Sequence, residues 1–237
     1  MSFLWAHRAL ALVYENEKYT ALAEASYRKA IEVDPSNAQL YADAAEFLVH
    51  QNRLTEAATL LATGDKVKTD DEDLFGSIIL NLYTMDDNDC VEALTASQPA
   101  RMQTSMLANH YLGWVAFEKG RYMQALKLQK LAARLDAKSV DPLLAMATIY
   151  RKMGQWRAAL DIADRVIAMD PEIAEAHYHR ACALARLGRK SAAMSALTRS
   201  YEIDEFAAAT LQEEEDLKSL SALPAFKKLL AEAKKEQ

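Results

Sequence analysis

The sequence contains 237 residues with a formal net charge of −6, and 51% of the residues are hydrophobic. Glycine and proline are scarce, at 6 and 5 residues, and no run alternates in Val, Ile and Thr, so the chain is predicted to be almost entirely α-helical. The acidic balance and the absence of a basic stripe argue against nucleic acid or an anionic membrane as the main partner. No apolar run approaches the roughly 20 residues that a membrane span requires, so membrane insertion is not expected.

A 34-residue period organises the chain. Gly120, Gly154 and Gly188 follow one another at intervals of 34 residues, and the Asp-Pro pairs at 34–35 and 170–171 lie four such periods apart. A fixed period of this length is the signature of a repeat array. Six units are predicted, beginning near Leu4, Ala38, Glu72, Met106, Val140 and Ala174.

Small residues recur at two positions of these units. The eighth position holds Ala11, Ala45, Ile79, Gly113, Ala147 and Ala181, and the twentieth holds Ala23, Ala57, Val91, Ala125, Ala159 and Ala193. Larger side chains at such positions would push two helices apart, because side-chain size at the contact sets the distance between helix axes. Each unit is therefore predicted to be a pair of closely packed helices.

The first unit begins near Leu4 without a preceding cap, which predicts a fragment or a mature form whose leader has been removed. The opening residues lack a basic start and an uninterrupted apolar core, so they are not a signal peptide. The turn inside each unit is predicted at Lys18, Asn52, Asp86, Gly120, Gly154 and Gly188. Glycine, asparagine and aspartate tolerate positive φ, whereas lysine does not, so the first turn is expected to be built differently.

The third unit departs from the pattern. It carries Val91, Thr95, Gln98 and Pro99 where the repeat family that this pattern resembles prefers small or apolar helix residues. Pro99 should shorten the second helix of this unit. The fourth unit starts on schedule, which indicates a degraded repeat rather than a domain boundary.

The fifth unit shows the regular pattern. Leu143, Met146 and Tyr150 lie on one helical face, and Gly154 follows in the position of a left-handed cap. Asp170-Pro171 is predicted to stop the second helix and to open the sixth unit.

The segment after Asp204 is predicted to form capping helices, which Pro224 divides into two short pieces. Its apolar residues are expected to seal the core of the sixth unit, while the acidic run 213–216 and Lys227-Lys228 face water. In the alternative, the tail folds back and occupies a groove as a mimic of the ligand. The apolar residues are Phe206, Leu211, Leu217, Leu220, Leu223, Phe226, Leu229 and Leu230.

No catalytic centre is predicted. His179 and Cys182 share a helical face, but structural zinc needs four ligands and no second pair follows. The acidic run 86–89 lacks the central glycine and final glutamate of a calcium loop, which favours turn and N-cap roles. No phosphate loop, nucleophile elbow or dinucleotide motif is present, so no metal, cofactor or enzymatic activity is expected. The two cysteines, Cys90 and Cys182, lie in different units and indicate reduced thiols in a cytoplasmic protein, or in the periplasm if a leader was removed.

The pattern resembles the tetratricopeptide repeat (TPR) family over about residues 4–207. Leu112-Gly113, Tyr14, Tyr150, Ala30, Ala132, Pro35 and Pro171 match the family's preferred positions. The resemblance implies an all-α, right-handed α-solenoid of about six helix–turn–helix units, the third degenerate, spanning residues 1–207, with capping helices over 208–237.

The resemblance also implies a concave groove lined by the first helix of each unit. The family's ligand-facing positions fall here on an acidic N-terminal third that includes Glu15, Asp43, Glu46 and Asp73. The partner-binding groove is predicted at Tyr83, His110, Trp114, Phe117, Leu144, Thr148, Arg151, Tyr178 and Arg186. Trp114 and Phe117 would form an apolar platform for a protein partner, or else pack against the weak third unit. The carboxylate clamp that binds heat-shock chaperones is not predicted, because Asp43 and Asp73 would repel a peptide carboxylate.

Three functions remain open at this stage. The leading one is a non-enzymatic adaptor that binds a peptide or helix of a partner protein in the groove. The second is a scaffold that self-assembles through its terminal repeats, for example in a secretion or pilus complex. The third is the targeting region of a larger enzyme.

Overall fold

The computed structural model describes residues 2–67, 73–204, 211 and 213–233, and the side chains from residue 6 onward. The described residues contain helices and no strand, so the predicted all-α class is confirmed. The helices are α1 (Ser2–Asn16), α2 (Thr20–Val33), α3 (Ala38–His50), α4 (Leu54–Val67), α5 (Leu74–Thr84), α6 (Asn88–Ser97), α7 (Met106–Glu118), α8 (Tyr122–Leu135), α9 (Asp141–Lys152), α10 (Trp156–Met169), α11 (Ala174–Arg186), α12 (Lys190–Ile203) and α13 (Pro224–Ala233). Short 3₁₀ helices span Arg101–Gln103 and Glu215–Leu220. No described helix has the length and hydropathy that crossing a bilayer would require.

The chain forms two compact units, one ending at Lys119 and the other beginning at Gly120. In the first unit, α1 pairs with α2, α3 with α4, and α5 with α6 and α7. In the second unit, α9 pairs with α10 and α11 with α12. The predicted boundary between residues 207 and 208 lies outside the described residues and stays a prediction.

The small residues of the period lie where helices touch. Ala11, Ala45, Ala147 and Ala181 of the first helices are completely buried. The twentieth position is equally buried, at Ala23, Ala57, Val91, Ala125, Ala159 and Ala193. This burial follows from the close approach that a side chain of one or a few carbons permits. The small-residue pattern in the sequence therefore correctly predicted the helix contacts.

All six predicted turn residues adopt a left-handed conformation. The φ angles are +61° at Lys18, +58° at Asn52, +60° at Asp86, +72° at Gly120, +69° at Gly154 and +77° at Gly188. The expectation that the first turn would differ is wrong. The N–H of Tyr19 donates to the carbonyl of Tyr14 at 2.7 Å, and the N–H of Lys18 donates to Glu15 at 3.0 Å, which together form a Schellman cap. The hairpin geometry thus holds Lys18 in a conformation that its side chain disfavours.

The third repeat is shortened as predicted. Helix α6 ends at Ser97, two residues before Pro99, and spans 10 residues against 14 for α4. The N-cap residues of α5 and α7 are hydrogen-bonded to each other. Asp73 accepts the N–H of Gly76 at 2.8 Å, and the hydroxyl of Ser105, the N-cap of α7, donates to the same carboxylate at 2.5 Å.

The C-terminal segment covers the last hairpin, as predicted. Leu211, Leu217 and Leu220 are buried against the core formed by α11 and α12, together with Phe226 and Leu229. Pro224 begins α13, so it separates the two helical pieces of the cap. Phe206, the first apolar residue assigned to the cap, lies outside the described residues.

Candidate functional site

The predicted groove residues fall into two groups. Tyr83, His110, Trp114 and Phe117 belong to the first compact unit, on α5 and α7. Leu144, Thr148, Arg151, Tyr178 and Arg186 belong to the second unit, on α9 and α11.

The first group forms a continuous aromatic cluster with Tyr111. The ring centroids of Tyr83 and Tyr111 lie 5.2 Å apart, and those of Trp114 and Phe117 lie 5.4 Å apart in an edge-to-face arrangement. His110 joins the two pairs, at 5.0 Å from Tyr111 and 6.2 Å from Trp114. Edge-to-face geometry suits the charge distribution of aromatic rings.

Polar contacts fix the edges of this aromatic cluster. The indole N–H of Trp114 donates to Nε2 of His110 at 3.1 Å, and the hydroxyl of Tyr83 donates to Glu118 at 2.8 Å. His110 is buried, whereas the four other rings are half-buried. The cluster therefore keeps some aromatic surface exposed to solvent, and the groove role of Trp114 and Phe117 stays a prediction.

The acidic residues predicted along the first unit are engaged within the chain. Arg8 pairs with Asp43 at 2.5 Å, and Nδ1 of His50 lies 3.0 Å from Glu15. Asn81 donates to Glu46 at 3.0 Å. Each of these pairs joins residues 35 positions apart, one repeat plus one residue, so the bonds link the first helices of successive repeats. Asp73, the fourth acidic residue, caps α5.

Arg151 is the centre of the second group. Its side chain is only 12% exposed, and its guanidinium donates to Asp216 from Nε at 3.1 Å and from Nη2 at 2.9 Å. Nη2 also donates to Glu214 at 2.6 Å. Burial by itself would lower the pKa of Arg151, but the carboxylate of Glu214 and its neighbours outweigh burial and raise it. Arg151 therefore holds a segment of the C-terminal tail by charge-assisted hydrogen bonds.

Contrary to the prediction, two residues of the acidic run 213–216 do not face water. Glu214 and Asp216 have side chains that are 21% and 13% exposed, because both contact Arg151. Glu213 and Glu215 are exposed, in agreement with the prediction. The sequence signal for this contact was the acidic run itself, but nothing in the sequence indicated which cation it would reach.

Tyr178 and Arg186 complete the contact with the tail. The hydroxyl of Tyr178 donates to Glu214 at 2.9 Å, and the Arg151 guanidinium lies 5.4 Å from the Tyr178 ring centroid. Arg186 is 45% exposed, lies 3.7 Å from Asp216 and covers the ring of Trp156 at 4.7 Å. These residues border a cleft of about 910 Å³, whose other lining residues include Thr148, Lys152 and Gly154.

His179 supports Arg151 from the protein interior. Nη1 of Arg151 lies 3.0 Å from Nδ1 of His179. Arginine can only donate, so Nδ1 accepts and the ring proton is on Nε2, which lies 3.1 Å from Glu175 and 3.2 Å from Thr148. Burial lowers the pKa of His179, and the charge of Arg151 lowers it further. His179 is therefore a neutral imidazole that fixes the position of Arg151.

Leu144 and Thr148, the remaining predicted groove residues, expose little side-chain surface to a partner. Leu144 is 9% exposed. Thr148 is half-buried and contacts His179 through its hydroxyl.

One group of residues has the composition of a metal site. Atoms of Cys182, Glu214 and Asp216 lie within 4.8 Å of one another. Both carboxylates already pair with the guanidinium of Arg151, and burial raises the pKa of the Cys182 thiol, which disfavours the thiolate that a metal requires. The group therefore does not fit a metal ion.

The geometry defines an α-helical repeat protein whose first helices present aromatic and cationic side chains. Two family models described as tetratricopeptide repeat match residues 17–76 and 144–208, just over half of the chain together. The chain belongs to the tetratricopeptide repeat family. It is 32% identical over 77 residues to the TPR repeat-containing protein YvcD of Bacillus subtilis, and this match covers 32% of the chain and 16% of YvcD.

Solved structures show the same fold at low sequence identity. PilF of Pseudomonas aeruginosa is 18% identical with a TM-score of 0.53, covering 93% of this chain and 97% of that one. The Cut9–Hcn1 hetero-tetramer of the APC/C contains a chain that is 17% identical with a TM-score of 0.55, covering 96% of this chain and 42% of that one. A tetratricopeptide repeat protein of Parabacteroides merdae is 16% identical with a TM-score of 0.50, covering 99% of this chain and 100% of that one.

Proposed function

We propose that this protein is a non-enzymatic adaptor that binds a peptide or helix of a partner protein on the first helices of its tetratricopeptide repeats. The fold supports a role in protein–protein interaction in general. The observation that carries the proposal is the contact of Arg151 and Tyr178 with residues 214–216. Side chains from two successive first helices hold a segment of polypeptide there, which is the task that an adaptor performs with a partner.

The aromatic cluster supplies a second anchor in this proposal. Tryptophan and phenylalanine side chains provide large contact areas and are enriched at the centres of protein interfaces. Trp114 and Phe117 would bind apolar side chains of the partner, while charged groups such as Arg186 would set its orientation. The site of action is proposed to be the cytoplasm.

The test is affinity capture of partners from cell lysate with the full chain and with the double variant Trp114→Ala/Phe117→Ala. The double variant should lose captured partners and keep its helical circular dichroism. Met85→Ala is the matched control, because Met85 is apolar, lies in the same unit and is 61% exposed. Equal capture by the parent and the double variant would rule out the aromatic anchor.

Self-assembly is the second candidate, and the first hairpin favours it. Leu10 and Val13, three positions apart on α1, and Leu22 on α2 are large apolar side chains that are 42%, 54% and 50% exposed. A second copy of the chain could cover this surface. Light scattering over a concentration series separates the candidates, since a molecular mass that stays monomeric at high concentration argues against the scaffold.

A further inference from the structure

The contact between Arg151 and the tail resembles a bound ligand more than a simple cap. The cap is seated by Leu211, Leu217 and Leu220, which are 2%, 0% and 0% exposed. Residues 213–216, which lie between Leu211 and Leu217, are not part of that buried apolar core. Glu214 and Asp216 instead accept hydrogen bonds from the predicted groove residues Arg151 on α9 and Tyr178 on α11.

We propose that Arg151, Tyr178 and Arg186 form a subsite for an acidic segment of the partner, and that Glu214 and Asp216 occupy this subsite until such a segment displaces them. The inference rests on the proposed function and adds the chemistry of the ligand. The recognised feature is a pair of carboxylates two residues apart, because Arg151 binds Glu214 and Asp216 at that spacing. Tyr178 selects the first carboxylate by a hydrogen bond to Glu214.

The surroundings of the subsite allow this exchange. Lys152 and Arg186 line the same cleft as Arg151, and both are exposed. No ion pair of Lys152 is found within the described part of the chain, and the contact of Arg186 with Asp216 is long, at 3.7 Å. An incoming acidic segment can therefore first bind these two cations and then replace the tail carboxylates at Arg151.

Displacement does not require the cap to unfold. Leu211 and Leu217, on either side of Glu214 and Asp216, are buried in the core. The two acidic side chains can therefore leave Arg151 while the leucines stay in place. The tail is tethered, and its high effective concentration lowers the apparent affinity for any ligand in solution. Weakening the tail contact should therefore strengthen binding of an acidic peptide.

The test uses a fluorescein-labelled peptide with the sequence of residues 211–220 and the full-length chain, with fluorescence anisotropy as the readout. The double variant Glu214→Gln/Asp216→Asn should bind the peptide about tenfold more tightly than the parent. Amides still accept hydrogen bonds from Arg151, but charge-assisted bonds are roughly twice as strong as neutral ones. The difference of about 1.4 kcal/mol corresponds to a tenfold change in affinity. The matched control Glu213→Gln/Glu215→Gln makes the same change in net charge at exposed positions and should bind like the parent.

Two further measurements define the site. Adding Arg151→Gln to the double variant should abolish peptide binding, and a peptide with Gln and Asn at positions 214 and 216 should not bind. Equal affinity of the two double variants, or no binding by any of them, would overturn the inference. If the Glu214→Gln/Asp216→Asn variant loses its helical signal, Asp216→Asn alone replaces it, with Glu215→Gln as its control.

The outcome also separates this inference from the proposed function. An absent peptide effect with aromatic-dependent capture of partners would refute the acidic subsite and leave the adaptor in place. Peptide binding without aromatic-dependent capture would support the subsite and refute the adaptor as proposed.

Discussion

The left-handed turns give the sharpest test of the fold, because two substitutions at equivalent turns should change stability in opposite directions. Gly188 has a φ of +77°, and a Cβ atom added there would meet no heavy atom within 4 Å. The change Gly188→Ala therefore introduces no clash, and its cost is conformational. Lys18 has a φ of +61° and already bears that cost.

The magnitude follows from two opposing terms. A residue with a Cβ in the left-handed conformation is destabilised by roughly 1–2 kcal/mol relative to glycine. Alanine restricts the unfolded chain and recovers about 0.4–1 kcal/mol. Gly188→Ala should thus lower the free energy of unfolding by about 1 kcal/mol, and Lys18→Gly should raise it by a somewhat smaller amount. Gly188→Asn is the control and should have a smaller effect, since asparagine tolerates positive φ.

The assay is urea unfolding followed by circular dichroism at 222 nm. Repeat proteins can unfold in more than one step, so the comparison applies to the urea midpoint at unchanged slope. A Gly188→Ala variant as stable as the parent would show that glycine in the left-handed turn does not contribute to the free energy of unfolding. A less stable Lys18→Gly variant would refute the assignment of strain to the first turn.

Three further outcomes can be measured on the same chain. Arg151→Met should lower the free energy of unfolding by about 3 kcal/mol, because it removes the buried cation that pairs with Glu214 and Asp216. Lys152→Met at the exposed neighbouring position should change stability by less than about 0.5 kcal/mol. Two histidines with shifted pKa values should affect stability in opposite pH ranges. The pKa of His179 is lowered in the folded state, so stability should fall as the pH drops below about 6.5, the pKa of an unfolded histidine. The pKa of His50 beside Glu15 is raised in the folded state, so stability should fall as the pH rises above about 6.5. His179→Gln and His50→Gln should each flatten one side of the pH profile of the urea midpoint, and an unchanged profile in either variant would contradict that assignment. Gly76→Ala should lower the thermal unfolding midpoint by several degrees, because the added Cβ would lie 2.3 Å from a carboxylate oxygen of Asp73 and 2.7 Å from Leu107. A midpoint equal to that of the parent would show that Asp73, the N-cap of α5, can move aside.

The repeat fold was predictable from the sequence because its signals are local. Gly154 marks a turn, Ala159 marks a helix contact and Pro99 ends a helix, and each acts within its own hairpin. Lys18 was the exception. Its side chain argues against a left-handed turn, but the packing of α1 against α2 imposes the same Schellman cap as in the other repeats.

The candidate site was predictable only in part. The period placed Arg151, Tyr178 and Arg186 on successive first helices, and the structure brings all three to one cleft. The period could not reveal that Glu214 and Asp216 would reach Arg151, because more than 60 residues separate these partners. Contacts at that separation depend on how the chain folds back, which no local pattern encodes.

The sequence by itself determined the repeat length, the all-α class and the positions of turns and helix contacts, because those depend on φ preferences and side-chain size within about 34 residues. Only the tertiary structure decided which charges are paired. The carboxylates of Glu15, Asp43 and Glu46 look like a free acidic surface in the sequence, yet bonds to neighbouring repeats engage them. Arg151 looks like a free cation, yet the tail covers it. Electrostatic partners are set by distance in space, and that distance exists only once the chain has folded.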